Sequence, residues 1–424
     1  MRAITVGLTL VLVLATARAG EAPVDDVALV LRAYDGLTGT KHVLPTDARL
    51  VAEAAVTALS GNPAAAGFGA DAAANRPLLE RQARALLGRQ KQPRAAVWSS
   101  IRAMVVAAGD PHTFLFHPTF GPTLETLLVA GKPAAAAGAY FARLSDGRLV
   151  VTEVQANGPA AKAGLEPGDV LVKIERHAPT SLSDIFTLYG GTKEPIRLTV
   201  QRPGRAKTLE LRYRAFEWTP LNVEGRLLPG SVGYLRFRFF DSLAPALIRK
   251  QLEELERSGA RSLVLDLRGN WGGIPDAIPS VFIGGDPLVV LRDGAGKDEP
   301  LPRSGPAWPR PLPMVVLVDG GTYSAAEFMA FMLQDRKVAP IMGTPTGGGL
   351  TGVDDLELAD GYILHVANTL VVAPVSHTTR PDHRVTPDMP LAERAPDELA
   401  KGIDRQLEAA TAEAGRRASR RPDQ

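Results

Sequence analysis

Residues 314–333 read MVVLVDGGTYSAAEFMAFML. The first five residues form an unbroken apolar run, which is typical of a strand buried on both faces. Gly320 and Gly321 then permit a tight turn, and the run from Ala325 to Leu333 can continue as a helix. Ser324 therefore stands where a strand passes into a helix, near backbone N–H groups that can stabilise a developing negative charge. This position suits a nucleophile, although an N-capping serine is the ordinary alternative.

Composition sets the broad class of the protein. The chain has 424 residues, 45% hydrophobic and 22% charged, as expected for a globular protein of two or three domains. A formal net charge of +2 gives no bulk electrostatic case for nucleic acid. The chain has no cysteine, and its histidines lack the paired spacing of a zinc site. We therefore expect no disulfide, no metal and no cofactor.

The first residues have the pattern of a targeting signal. Arg2 precedes an apolar stretch over 3–15, and Ala17-Arg18-Ala19 is a small-x-small cleavage site. The apolar stretch is too short to span a bilayer. We therefore predict a cleaved signal peptide over residues 1–19 and export to a periplasm or the extracellular space, without stable membrane insertion.

The rest of the chain divides into four regions. Residues 24–128 are predicted to be helical, and 134–214 alternate short strands with turns. Strands and helices alternate over 216–392. Over residues 396–424, the spacing of Leu399, Ile403 and Leu407 predicts one amphipathic helix, which a basic tail follows.

The second region contains a recognisable stretch. Residues 158–171 read GPAAKAGLEPGDVL. The pattern predicts a short helix after Pro159, a helix end at Gly164 and a turn into a strand over 170–174. This stretch resembles the signature of PDZ domains, which bind a C-terminal peptide by strand addition and hold its carboxylate in a loop of backbone N–H groups. The matching loop here is Gly138-Ala139-Tyr140-Phe141, and a module with a purely packing role is the alternative.

Glycine-rich elements follow in a specific order. A strand over 262–268 runs into GNWGG (269–273), the serine turn comes next, and GTPTGGG (343–349) and VTPD (385–388) follow. Together with the PDZ signature, this order resembles the C-terminal processing (tail-specific) peptidases, a family of serine peptidases. The resemblance implies an α/β multidomain protein with a crotonase-like (ClpP/crotonase) core, an inserted PDZ domain and an N-terminal helical region.

The resemblance also assigns roles to residues. Ser324 matches the family's nucleophile, and the N–H group of Ala325 matches one donor of the oxyanion hole. The second donor would be Gly272 or Gly273, where glycine lets the backbone approach the substrate.

The general base is where the chain departs from the family. Processing peptidases carry a lysine about 25 residues after the serine, but residue 349 is glycine (349 − 324 = 25). The stretch DPHT (110–113) is similar to a motif of tricorn-type relatives, whose histidine is the base. That similarity makes His112 the candidate base and Asp382 its candidate acidic partner. His117, His365, His377 and His383 stay open as rival bases.

These inferences lead to one functional prediction and one alternative. We expect an exported serine endopeptidase that cleaves polypeptides, with its PDZ domain recruiting C-terminal or unfolded segments. Whether this domain also acts as a lid over the site stays open. Because the lysine is missing, the alternative is an inactive homologue that serves as a peptide-binding adaptor or scaffold. A homo-oligomer stays open.

Overall fold

The computed structural model describes residues 25–39, 46–62, 67–179, 181–190, 194–275 and 277–420. The predicted signal peptide over 1–19 lies outside these residues. Within them, the α-helices are α1 (Asp26–Thr38), α2 (Ala48–Ser60), α3 (Ala72–Leu87), α4 (Pro93–Ala108), α5 (Phe120–Leu124), α6 (Pro159–Ala163), α7 (Ala244–Arg257), α8 (Ala277–Phe282), α9 (Ala325–Asp335), α10 (Pro396–Ala400) and α11 (Arg405–Ser419). A π-helical turn spans Glu125–Val129, and short 3₁₀-helices span Leu182–Leu188 and Ala359–Gly361.

The strands in the same residues are β1 (Phe114–Phe116), β2 (Ala139–Arg143), β3 (Leu149–Val154), β4 (Val170–Ile174), β5 (Ile196–Gln201), β6 (Leu209–Tyr213), β7 (Val223–Leu228), β8 (Val232–Phe237), β9 (Ser262–Asp266), β10 (Val289–Asp293), β11 (Asp298–Leu301), β12 (Met314–Val318), β13 (Ile341–Gly343), β14 (Thr351–Glu357), β15 (Ile363–Val372) and β16 (Met389–Pro390). None of the helices in the described ranges is long and apolar enough to cross a membrane.

The chain separates into two compact units. The first contains the described residues up to Gly121, with 291–299 and 351–370. Aspartates at 25, 47 and 71 cap the first three helices by accepting hydrogen bonds from N–H groups of the first turn. The apolar faces of α1 to α4 form one core with residues of β15 such as Leu364. β15 pairs antiparallel with both β1 and β14.

The second unit contains residues 122–290, 300–350 and 371–420 of the described chain. One of its sheets is antiparallel, with strand order β2-β3-β4-β5-β6. Helix α6 ends at Gly164, whose φ of +84° is left-handed, so the predicted helix and the predicted strand over 170–174 are both confirmed.

The other sheet of the second unit has six strands in the order β16-β13-β12-β9-β8-β7. Its pairs are parallel except for β8 with β7. All five residues of β12 are buried, as the apolar run predicts. Because Leu317 pairs with Asp266, β12 and β9 end at the same edge of the sheet. That edge brings together the two loops that follow these strands.

The C-terminal prediction of one helix is wrong. Helix α10 ends at Ala400, and α11 begins only at Arg405. Gly402 adopts a left-handed φ of +68°, and the Asp404 carboxylate caps α11 by accepting from Leu407 N–H. Ala410 and Ala414 of α11 pack in one apolar cluster with Val264, Val315 and other residues of the six-stranded sheet.

Candidate active site

Ser324 lies at the N-terminus of α9, directly after the turn that follows β12. Its φ of 51° and ψ of −122° are unusual for a residue other than glycine. Tyr323 N–H donates to Asn270 O at 2.8 Å, and the hydroxyl of Thr322 donates to Leu267 O at 2.8 Å. The loop after β9 therefore holds the turn in this conformation. A strained backbone over-determined by its surroundings is typical of a functional residue.

Asp319, the first residue after β12, connects the loop after β9 to the turn before Ser324. Its Oδ1 accepts from the N–H groups of Gly269 and Gly321, both at 2.9 Å. Its Oδ2 accepts from Arg394 at 2.7 Å. One buried carboxylate thus fixes the start of both glycine-rich segments.

The glycine pair after β9 lies against Ser324. A Cβ on Gly272 would lie 2.7 Å from Ser324 Cβ and 2.9 Å from Ala325 N, so only glycine fits there. Gly272 N–H donates to Asn270 Oδ1 at 3.0 Å and is already engaged. Gly273 N–H and Ala325 N–H make no hydrogen bond within the described part of the chain. Of the two candidate glycines, Gly273 is the one with a donor to offer.

The glycine turn at 346–349 has no room for a lysine. A Cβ on Gly349 would lie 2.8 Å from Cε2 of Tyr323 and 3.1 Å from Oε2 of Glu327. A Cβ on Gly347 would also meet the Tyr323 ring, at 2.8 Å. The Tyr323 ring therefore fills the space into which a side chain at 349 would point. Packing thus favours glycine at this position.

His112 is a residue of the first unit and is 2% exposed. Its backbone N–H donates to Asp110 Oδ1 at 2.9 Å, and its Nδ1 lies 2.8 Å from Thr351 Oγ1. Asp110 also accepts a short hydrogen bond from the hydroxyl of Thr113, whose Oγ1 accepts from Ala367 N–H at 3.1 Å. The DPHT segment is thus tied to β14 and β15, and this fixes the ring of His112.

The other titratable candidates have different surroundings. Asp382 is exposed, and its Oδ1 accepts from Arg384 N–H at 3.3 Å. His377 is exposed, and His383 is 9% exposed with a left-handed φ of 54°. Burial, and then the nearby charge of Arg102, lower the pKa of His117, whose Nδ1 lies 3.0 Å from Thr119 Oγ1. Asp382, the predicted partner of His112, belongs to the second unit, so its pairing with His112 stays a prediction.

Two features were missed in the sequence. Glu327 is fully buried and bonds to Ser324 and the glycine turn. The spacing Ser324-x-x-Glu327 is a capping-box pattern and could have revealed it. The second feature is a pair in the first unit, with His365 Nδ1 2.5 Å from Asp355 Oδ1. The His365 ring lies edge-on to His112, with ring centroids 5.6 Å apart. The pairing of His365 with Asp355 follows from the register of β14 with β15.

Of the predicted peptide-binding loop, only Gly138 precedes β2. The prediction of a loop over 139–141 is wrong, because these three residues belong to β2, at the edge of its sheet. Gly138 has a left-handed φ of +71°, and Ala139, Tyr140 and Phe141 are buried. The outer edge of β2 is covered by the serine turn: Arg143 N–H donates to Gly320 O at 3.3 Å. A Cβ on Gly321 would lie only 2.0 Å from Phe141 O, so the turn approaches the strand closely.

An apolar cavity lies beside this contact. Its walls come from β2, from the 3₁₀-helix Leu182–Leu188 with Tyr189, and from the two loops next to Ser324. Trp271, which precedes the glycine pair, has its ring edge-on to Phe186 and Tyr189, with centroids 6.2 and 5.8 Å apart. The cavity is thus lined both by the five-stranded antiparallel sheet with its 3₁₀-helix and by the loops next to Ser324.

Comparison with known families identifies two regions of the chain, most of whose residues lie in the second unit. Residues 231–391 match the model of peptidase family S41, and residues 150–202 match that of a PDZ domain. The protein is therefore a mixed α/β multidomain chain with a family S41 serine peptidase domain and a PDZ domain, and its relatives are C-terminal processing peptidases.

Two curated relatives illustrate the similarity. Carboxyl-terminal-processing peptidase 2, chloroplastic, of Arabidopsis thaliana is 29% identical over 328 residues, which cover 74% of this chain and 64% of the relative. Carboxy-terminal processing protease CtpB of Bacillus subtilis is 28% identical over 229 residues, covering 51% and 47%. The chain thus spans about half to two thirds of the length of these relatives.

A solved structure is similar in fold. The photosystem II D1 C-terminal processing protease superposes with a TM-score of 0.59 at 24% identity, covering 93% of this chain and 98% of that one. This likeness concerns the fold alone.

Proposed function

We propose that this protein is a serine endopeptidase that cleaves polypeptides, with Ser324 as the nucleophile. The observation that carries the proposal is the strained turn that sets Ser324 against the glycine pair of the neighbouring loop. Gly273 and Ala325 supply the two N–H groups of the oxyanion hole, where they stabilise the negative charge of the tetrahedral intermediate. Gly272 provides the close approach between the loops.

His112 is the general base of this proposal, and Asp382 is its acidic partner. A neutral imidazole accepts the proton of the serine hydroxyl near neutral pH and later returns it to the leaving amine. The buried, hydrogen-bonded position of His112 suits a ring that must keep one orientation. No metal or cofactor takes part in this reaction.

Labelling with a fluorophosphonate probe tests the nucleophile. The wild-type protein should be labelled, and Ser324→Ala should not. The probe should still label Ser242→Ala as wild type, since that serine belongs to another loop. Absence of labelling in all three proteins would instead favour the inactive adaptor.

Digestion of casein tests the base. His112→Ala should reduce kcat by about 10²–10⁴-fold, the usual contribution of a general base. Asp382→Ala should give a smaller loss, and the exposed His377→Ala should leave cleavage unchanged. Full cleavage by His112→Ala would remove this residue from the mechanism.

We infer that the PDZ domain recruits C-terminal or unfolded segments of substrates, and that Gly138, Ala139, Tyr140 and Phe141 receive them. In the present arrangement the serine turn covers the edge of β2, so a peptide that adds to this edge must displace it. The domain over 134–214 then acts as a lid. Peptides with an apolar C-terminal residue and a free carboxylate should bind and raise the labelling rate. The same peptides as C-terminal amides should not.

The remaining parts of the proposal concern architecture and location. Residues 216–392 are assigned a crotonase-like core, in keeping with the parallel strands of the six-stranded sheet. The pattern of residues 1–19 supports export to a periplasm or the extracellular space. Size-exclusion chromatography with light scattering will distinguish a monomer from a homo-oligomer.

A further inference from the structure

Glu327 is the most completely enclosed carboxylate at the proposed site, with an exposed fraction of 0%. Its Oε2 accepts from Ser324 N–H at 3.0 Å and from Gly349 N–H at 2.6 Å. Its Oε1 accepts from Gly348 N–H at 2.9 Å and from the hydroxyl of Thr346 at 2.5 Å. One side chain therefore connects the backbone of the nucleophile to the glycine turn.

All four partners donate, which suits the ionised carboxylate. Three of them are backbone N–H groups and cannot accept a hydrogen bond. The fourth, Thr346 Oγ1, already accepts from Val385 N–H at 2.8 Å. Protonation of Glu327 would remove the negative charge that strengthens these hydrogen bonds, so the connections to the backbone N–H groups would weaken.

Burial and hydrogen bonding act on Glu327 in opposite directions. Burial raises its pKa from 4.5 to about 7, while the hydrogen bonds from Thr346, Gly348, Gly349 and Ser324 hold the pKa lower than burial alone would. Both protonation states are therefore accessible near neutral pH.

The groups around Glu327 come from three segments besides its own helix. The ring of Tyr323 lies against Gly349, and the guanidinium of Arg384 donates to Thr346 O at 2.5 Å. His383 accepts from Leu350 N–H through its backbone carbonyl. Of the charged groups on α9, Asp335 lies at the opposite end of the helix. Among these groups, Glu327 is the one whose carboxylate accepts a hydrogen bond from Ser324 N–H.

We propose that Glu327 is a positioning residue for Ser324: its carboxylate, when ionised, ties the nucleophile's backbone to the glycine turn and holds the serine in its strained conformation. The glycine turn then serves this side chain, in place of carrying a lysine. The inference rests on the proposed function of Ser324 and adds a carboxylate that acts through the serine's backbone N–H.

The test compares Glu327→Gln with wild type in the full chain. Glutamine has nearly the same shape, but one of its two polar atoms is an NH₂ group facing donors. At pH 8 we expect the second-order rate of fluorophosphonate labelling to fall by about 100-fold, as for a misplaced catalytic group, with KM for a peptide substrate little changed. Part of the acid limb of the wild-type pH profile should disappear in the variant, and the part that belongs to the general base should remain.

Two variants at Thr346 provide a matched control. Thr346→Val removes one donor, so the pKa of Glu327 should rise and the acid limb should move to higher pH. Thr346→Ser keeps the hydroxyl and should retain the wild-type profile. If Glu327→Gln lost activity with an unchanged acid limb, or lost none, the positioning role would be refuted.

Hydrogen exchange separates this inference from the proposed function. At one pH, the amides of residues 346–349 should exchange faster in Glu327→Gln than in wild type, whether or not the protein is a peptidase. Unchanged exchange would refute the positioning role of Glu327. Faster exchange in a protein that the probe never labels would refute only the assignment of Ser324 as nucleophile.

Discussion

At the scale of single residues, close packing favours glycine at position 349. The Tyr323 ring occupies the space that a side chain at 349 would enter. The glycine at 349 is visible in the sequence, but the packing that favours it is not, because nothing in the spacing shows that residues 323 and 349 touch. The position of Ser324 at the start of a helix could be predicted, since a strand, a turn and a helix start are local patterns.

A double-mutant cycle tests this packing. Gly349→Lys in the wild-type background should cost about 1–3 kcal/mol of unfolding free energy, as overpacking does. In a Tyr323→Ala background the same substitution should cost less, because the ring is gone. Urea unfolding of the four proteins gives the coupling energy. Equal costs in both backgrounds would contradict the explanation.

The raised pKa of Glu327 predicts how stability changes with pH. The folded state holds the Glu327 proton more tightly than the unfolded state does, because the pKa rises from 4.5 to about 7. The contribution of this group to stability is therefore full below pH 4.5 and declines as the pH rises to 7, by about 3 kcal/mol. Urea unfolding between pH 4.5 and 8 measures this slope.

Glu327→Gln supplies the control for that measurement. Its amide does not titrate, so the decline assigned to residue 327 should disappear while other titrations persist. A variant with the same slope as wild type would show that another group causes it.

At the scale of elements, the sequence predicted what local chemistry determines. Helix α6 and its end at Gly164, strands β4 and β12, and the start of α9 all follow from turn residues and apolar runs. The C-terminal helix was predicted as one because apolar spacing continues across Gly402. The cap at Asp404 was the competing signal. The His365–Asp355 pair needed strand register, which one sequence does not contain.

Two glycines near the C-terminus make a matched test. Gly402 has φ of +68° and Gly415 lies inside α11, and neither has an atom within 4 Å of a built Cβ. Gly402→Ala should cost about 1 kcal/mol because of its left-handed backbone. Gly415→Ala should instead stabilise by about 0.5–1 kcal/mol, since alanine favours the helix. Thermal unfolding measures the stability change of both variants. Equal changes would contradict the interruption between α10 and α11 at Gly402.

At the scale of the whole molecule, a buried ion network fastens the C-terminal segment to the six-stranded sheet. Arg268 donates to Asp266 at 2.7 and 2.9 Å and to Asp404 at 2.7 and 2.8 Å. Burial alone would raise the pKa of Asp266, but the charge and hydrogen bonds of Arg268 hold it well below its usual range. Partners 136 residues apart in sequence could not be paired from pattern alone.

Removing the arginine should leave Asp266 buried without its main partner. Arg268→Met is expected to cost about 3–5 kcal/mol of unfolding free energy. Arg84→Met, which breaks an exposed pair with Glu80, should cost less than about 1 kcal/mol. Guanidinium unfolding gives both values, and a similar small cost for both would show that the network contributes little.

The cover that the serine turn places over β2 also bears on solubility. An edge strand with unpaired backbone groups is a template on which other chains can assemble into extended sheets. Here the backbone of Gly320 pairs with Arg143 on that edge, and Gly321 lies tightly against Phe141. This edge of β2 is thus shielded from pairing with other chains, and a peptide that displaced the serine turn would expose it to such pairing.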